Sequence, residues 1–253
     1  TTVWWHGKGR QIRRLGGVRL PHSLGQLYSA TTAFLGFKVQ EDEYKVMGLA
    51  AMGKPKYAAY LRENVVTLLP DGGFTIKPYF LDYHLARRGK FSPEAEKLFG
   101  VPRADGEEIG ERHADVAASV QSVLEQALFS TLRKLHTLTG ASRLGMAGGV
   151  ALNCTANGKI FTNTPFKEVF VQPAAGDNGT SLGAALYWAN AGPKRITVPL
   201  QHAYWGPSYD RDRTQAALRA AGVPHTELPE DALIERAARL LAEGNVVGWF
   251  HGR

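Results

Sequence analysis

Residues 169–188 read VFVQPAAGDNGTSLGAALYW: a short apolar run at Val169–Val171, a bend at Gly176-Asp177-Asn178-Gly179, and then small and apolar residues from Thr180 that suit a helix reaching towards Gly192. The same order occurs just upstream. Arg143–Met146 reads as a strand, Gly148-Gly149 as a tight turn, and VALNCTANGKIF (150–161) as the start of a helix. Two strand-turn-helix units in tandem predict an α/β architecture in which both bends lie at one end of a parallel sheet. The first amides of each helix lack intrahelical acceptors, so such bends accept phosphate or another anion. Neither bend matches G-x-G-x-x-G or G-x-x-x-x-G-K-[ST], which argues against a dinucleotide fold and a P-loop. Asp177 admits two roles. It can cap the helix at Thr180, or, since Asn178, Thr180 and Ser181 can also cap, it is free to be an oxygen ligand to a metal.

Outward from these units the pattern stays mixed. TTVWWHGKGRQIRRLGGVRLP (1–21) alternates around a Gly-Lys-Gly turn and predicts a hairpin, as from the middle of a sheet. A helix is expected from Ser23 with a stop at Gly36, and another over Glu43–Ala51. Asp71-Gly72-Gly73 predicts a surface hairpin. The strongest periodicity is at 106–140, where Ile109, Val116, Val120, Val123, Leu124, Ala127, Leu128, Leu132 and Leu135 mark one helical face. After Pro193 the texture becomes linker-like, DALIERAARLLAEG (231–244) predicts an amphipathic helix, and NVVGWFHGR (245–253) the beginning of a strand.

At 253 residues and 44% hydrophobic content the chain can bury a sizeable core. Its +7 charge is scattered among acids, with no basic stripe carrying interleaved aromatics, so nucleic acid is not an expected partner. The single cysteine, Cys154, excludes an internal disulfide and is expected to be a small buried residue. No apolar stretch is long enough to span a bilayer and no signal-peptide core opens the chain, which together lead us to expect a cytoplasmic protein. His113 and Asp115 are expected on a solvated helix face, and His22 in a structural role. Lys45 and Lys54 flank VMGLAAMG, where a lysine can supply a counter-charge to phosphate.

Three stretches, PHSLGQLYSATTAFLGFKVQEDEYKVMGLAAMGKPKY (21–57), MAGGVALNCTANGKI (146–160) and VFVQPAAGDNGTSLGAAL (169–186), together resemble the O-carbamoyltransferases of the NodU/CmcH type, which include nodulation-factor and antibiotic carbamoyltransferases. The resemblance implies an actin-like ATPase (ASKHA, ribonuclease H-like) domain over residues 1–192, mostly its second half. It further implies a linker and the beginning of a YrdC-like α/β domain over 193–253. In that family the YrdC-like part makes carbamoyl adenylate from carbamoyl phosphate and ATP. The actin-like part then passes the carbamoyl group to a hydroxyl of a sugar or aminoglycoside-like acceptor. Carried over residue by residue, Gly148, Gly149, Val150 and Asn153 match the adenosine loop, Asn178 and Gly179 lie beside the adenylate phosphate, and Asp177 matches a late aspartate ligand of iron. Lys45, His251 and Arg253 are the further phosphate-binding candidates. The family's H-x-x-x-H pair and its earlier aspartate have no counterpart, so the chain reads as an internal piece of a longer enzyme, expected to hold iron weakly when alone. A sugar kinase or ATPase of the same fold and a non-catalytic nucleotide-binding module are the alternative readings.

Overall fold

The structure is a computed structural model that describes residues 1–86, 90–192, 196, 200 and 202–251. The chain divides into two units, Thr1–Pro193 and Lys194–Arg253.

The axis of the first unit is the long helix the periodicity predicted. It is the sixth of the helices, α6 (Glu111–Thr139), and it buries Val116, Val120, Val123, Leu124, Ala127, Leu128 and Leu132. Gly110 opens it by donating its amide to His113 Nδ1 at 3.0 Å, and Gly140 closes it at φ 62°, a left-handed conformation that glycine adopts without a Cβ penalty. Ile109 falls outside the helix and is exposed. Before it come α1 (Leu24–Phe34), capped by Ser23 Oγ, which accepts from Gln26 N at 3.3 Å, then α2 (Glu43–Ala50) and α3 (Ala58–Asn64). Both α2 and α3 pack on α6. The short α4 (Tyr83–Ala86) and α5 (Pro93–Phe99) follow. Phe34, Phe80 and Tyr57 each meet the ring of Phe99 edge-on at 5.3–5.6 Å between centroids. Each fully buried phenylalanine contributes roughly 1.5–3 kcal/mol.

Among the described residues three two-stranded sheets complete the unit, which is mixed α/β. β1 (Thr2–Lys8) and β2 (Gln11–Val18) form the expected antiparallel hairpin, with an irregularity at Trp4/Trp5. β3 (Val66–Leu68) and β4 (Phe74–Ile76) form the second hairpin, whose turn is held by Gly73 N donating to Asp71 Oδ1 at 2.8 Å. His22 is tied to that hairpin through Ile76. β5 (Arg143–Met146) runs parallel to β6 (Glu168–Val171), with Arg143 opposite Glu168 and Met146 opposite Val171. The helix expected from Val150 is broken into a 3₁₀ turn (Gly149–Leu152), α7 (Cys154–Gly158) and α8 (Ile160–Asn163). Asn153 causes the break: at ψ 87° it leaves helical geometry, and its Oδ1 accepts the Ala156 amide and restarts the coil. α9 (Thr180–Ala189) follows the second bend and, although apolar, has no buried residue.

His113 and Asp115 correct one expectation. Both are buried, because residues 51–57 lie across the first turns of α6. Gly53 comes so close there that a Cβ would sit 2.1 Å from Ala114 O. Asp115 accepts from Lys54 N at 2.7 Å and pairs with Lys56 Nζ at 2.5 Å, while Tyr57 N donates to Ser119 Oγ at 3.0 Å. Burial pushes the Asp115 carboxyl up, but the bonds from Lys56 and Lys54 outweigh it and hold it below the ordinary carboxylate value.

Burial, aided by Arg112, holds His113 below its ordinary value of 6.5. A histidine depressed in the fold contributes stability that is present above pH 6.5 and is lost as pH falls through the folded value. The thermal midpoint is therefore expected to fall on acidification below pH 6.5, and His113→Gln to flatten that part of the profile; equal slopes for the two proteins would contradict it.

The second unit holds α10 (Arg211–Ala220) and α11 (Glu230–Ala242). Asp210 caps α10 by accepting from Arg213 N at 2.8 Å. Residues 245–251 form no strand, which corrects the expectation for NVVGWFHGR. An apolar run becomes a strand only where a neighbouring edge supplies hydrogen bonds, and among the described residues no strand pairs with it. Among the described residues no helix is long and apolar enough to cross a membrane.

Candidate functional site

The two bends meet. Gly148 N donates to Ala175 O at 2.6 Å, so the turn after β5 is bonded to the turn after β6 at the C-terminal end of the parallel pair. Gly148 has φ 103°, a conformation that strains any L side chain. Neither Gly148 nor Gly149 has a heavy atom within 4 Å of where a Cβ would stand, so open space adjoins the backbone there. The amides of Gly149 and Val150 begin the 3₁₀ turn and have no intrahelical acceptor. In the second bend Gly179 is required by packing, since a Cβ would lie 2.1 Å from Ala174 O.

Asp177 and Asn178 stand exposed in a 3₁₀ turn (Asp177–Gly179). Asp177 does not cap the coil behind it: the N-cap of α9 is Gly179, with no side-chain cap bond. Of the two roles open to Asp177, capping is the one it does not take, and its side chain is exposed.

Asn153 is used differently from its neighbours. Its side chain is buried, accepts from Ala156 N at 2.9 Å and Gln121 Nε2 at 3.0 Å, and donates to Gln121 Oε1 at 2.9 Å. Gln121 also receives Tyr28 Oη at 3.0 Å and donates to Glu125 Oε1 at 2.8 Å. Lys159 Nζ closes the chain on Glu125 at 2.7 and 2.8 Å. Burial pushes the Tyr28 hydroxyl above its ordinary pKa, so it remains a neutral donor. This network forms the rear wall of the first bend. Sequence reasoning missed Gln121, Glu125, Lys159 and Tyr28, although two polar residues four apart on an otherwise apolar helical face were a signal.

Within the first unit, the phosphate candidate Lys45 is engaged away from the bends. Lys45 Nζ lies 2.9 Å from Asp42, which raises its pKa, and stacks near the rings of Phe37 and Tyr44. Met47, on the other side of α2, is the residue that approaches the first bend, with Sδ 3.7 Å from Cys154 Sγ. Cys154 is exposed, which corrects its expected burial: it begins α7 just after the Asn153 cap, where the side chain projects outward. His251 is exposed in the second unit, and Arg253 lies outside the described residues. Among the described residues no group of three His, Cys, Asp or Glu side chains could hold a metal. Asp177 alone does not fit iron, which needs several ligands at one point.

Residues 1–186 match the family model described as carbamoyltransferase N-terminus. The chain belongs to that family. It is 39% identical over 98% of its length to nodulation protein NolNO of Sinorhizobium fredii, covering 35% of that protein. It is 38% identical over 98% of its length to nodulation protein NolO of Bradyrhizobium diazoefficiens, covering 43% of it. A 3'-hydroxymethylcephem-O-carbamoyltransferase of Streptomyces clavuligerus is 27% identical over 62% of the chain, which covers 30% of that enzyme. The chain thus spans less than half the length of these curated relatives.

Proposed function

We propose that these residues are part of an ATP-dependent O-carbamoyltransferase that moves a carbamoyl group from carbamoyl phosphate, through carbamoyl adenylate, to a hydroxyl of a sugar-type acceptor. In this reading residues 1–192 belong to an actin-like (ASKHA) transfer domain and 193–253 begin a YrdC-like domain. Family membership and the likeness to a cephem O-carbamoyltransferase support the reaction class. The observation that carries the nucleotide part is the bonded pair of bends, with open backbone at Gly148 and Gly149 and first-turn amides at Val150 and Asn178 that have no acceptor within their own 3₁₀ turns.

Those amides suit phosphate oxygens, which a backbone without a Cβ can approach closely. Asn153 acts from behind, holding the turn instead of touching the nucleotide. In the transfer step the acceptor oxygen forms a bond to the carbamoyl carbon, the bond from that carbon to the adenylate phosphate oxygen breaks, AMP leaves with the electron pair, and the hydroxyl proton passes to a base. Amides around the phosphate favour that departure by spreading its charge. Iron, which the family resemblance implies, finds one acidic side chain in these bends, and no step is assigned to it.

The full-length protein is expected to catalyse exchange of labelled pyrophosphate into ATP only when carbamoyl phosphate is present. ATP hydrolysis indifferent to carbamoyl phosphate, with no exchange, would instead support an actin-like kinase or ATPase.

A further inference from the structure

Basic and apolar side chains crowd one corner of the first unit. No acidic residue occurs between Thr1 and Glu41, and in that stretch Lys8, Arg13 and Arg14 stand exposed in the β1–β2 hairpin, close to its Gly9-Arg10 turn. Among the described residues none of these three cations has an acidic partner. The register sets Lys8 opposite Gln11, His6 opposite Arg13 and Trp5 opposite Arg14, so positive charge lines both faces of the ribbon. Between them Ile12, across from Gly7, is 71% exposed. Arg10 fastens the turn to the end of α9: its Nη2 donates to Asn190 O at 2.8 Å and also to Gly192 O. Tyr187 and Trp188, on the last turn of that helix, are 80% and 82% exposed. Cations with no acid beside them repel one another, and exposed rings and an isoleucine gain nothing from water. A patch that combines the two marks a surface that a partner covers.

We infer that this corner, the hairpin tip with the end of α9, docks the protein on an anionic phospholipid bilayer. Lys8, Arg13 and Arg14 approach the headgroup phosphates, and Ile12 enters the boundary between headgroups and acyl chains. Tyr187 and Trp188 lie at headgroup level, where an amphipathic ring has an apolar side and a wet side. The mixture of side chains selects this partner. A nucleic-acid duplex offers phosphates but no apolar layer for Ile12, and a single strand needs rings on which successive bases stack, which the hairpin tip lacks. Docking of this kind does not depend on the carbamoyl reading. It brings the first unit to a membrane whether or not the bends bind nucleotide.

Cosedimentation of the full-length protein with vesicles tests this. Binding is expected to vesicles of phosphatidylcholine with about one third phosphatidylglycerol in about 0.1 M salt, to disappear in about 0.5 M salt, and to be absent with pure phosphatidylcholine. Each of Lys8→Gln, Arg13→Gln and Arg14→Gln is expected to weaken it about fivefold, and the triple variant about 100-fold. Ile12→Ser, which leaves the charge intact, is expected to weaken it about tenfold. These are surface changes, so every thermal midpoint should match the parent. Bound protein should show a blue-shifted tryptophan emission that Trp188→Phe reduces. Equal binding to neutral and anionic vesicles, or anionic binding that survives the triple change, places the contact elsewhere and overturns the proposal. Binding that responds to charge but not to Ile12→Ser means attraction without insertion, and overturns it as well. Retention on duplex DNA or heparin that the triple variant loses, with no vesicle binding, assigns the patch to another polyanion. No binding to any of these means that the corner is covered in the whole protein, and both results overturn the proposal.

Discussion

Asp115→Ala is expected to lower the unfolding free energy by about 3 kcal/mol, read as a shifted urea midpoint at unchanged slope. The carboxylate is nearly inaccessible and ties α6 to the Lys54 backbone amide. Alanine removes that acceptor and leaves a part-buried amide unsatisfied, which costs roughly 1–3 kcal/mol. It also opens a void beneath residues 51–57, where Gly53 is already in backbone contact with Ala114. Lys56 escapes more cheaply, since its ammonium is half exposed and can turn to Glu111 at 3.0 Å or to water. Asp115→Asn keeps an oxygen for the Lys54 amide and should recover part of the loss. A midpoint within experimental error of the parent would show that the 51–57 segment is not held through this side chain.

Asn153→Ala should cost a similar amount, about 3 kcal/mol, for a different reason. The cap on Ala156 is lost, worth about 1 kcal/mol, and both ends of the Gln121 amide lose a partner inside the protein. The double variant Asn153→Ala, Gln121→Leu is then expected to be less destabilised than the sum of the single changes, because the two hydrogen bonds between these side chains are lost in each single variant but only once in the double. Simple additivity in a double-mutant cycle would mean that the two side chains do not depend on each other. In a nucleotide-binding protein the single change should also weaken ATP without any contact to it, since the turn at Gly148–Val150 loses its rear support.

Much of this architecture could be read from residue order, and the limits have physical causes. The 3.6-residue stripe through Val116, Val120 and Leu128 is a local property, so α6 was legible with its stop at Gly140. The hairpins at Gly9 and Gly72 were legible because positive φ is written in glycine. His113 and Asp115 were misread because burial there is conferred by residues 51–57, some sixty positions away, and polar residues near a helix start ordinarily face water. The strand expected at 245–251 failed for a related reason: pairing needs an edge that local composition does not reveal. α10 was overlooked even though Asp210 is a favoured cap, because its arginines dilute the apolar stripe. At the site, the juxtaposition of the two glycine bends followed from the tandem strand-turn-helix order. The amide network behind them did not, because hydrogen-bond partners thirty residues apart have no periodic signature.

The short bond from Gly148 to Ala175 has a mechanical corollary. Two turns that share a hydrogen bond at the tips of neighbouring strands cannot shift separately without breaking it. Tension applied at Asp177 is therefore felt at Val150, and whatever grips one bend stiffens the other. Such a pair behaves like the two jaws of a clasp on a common pin, set by one amide proton that belongs to neither jaw alone.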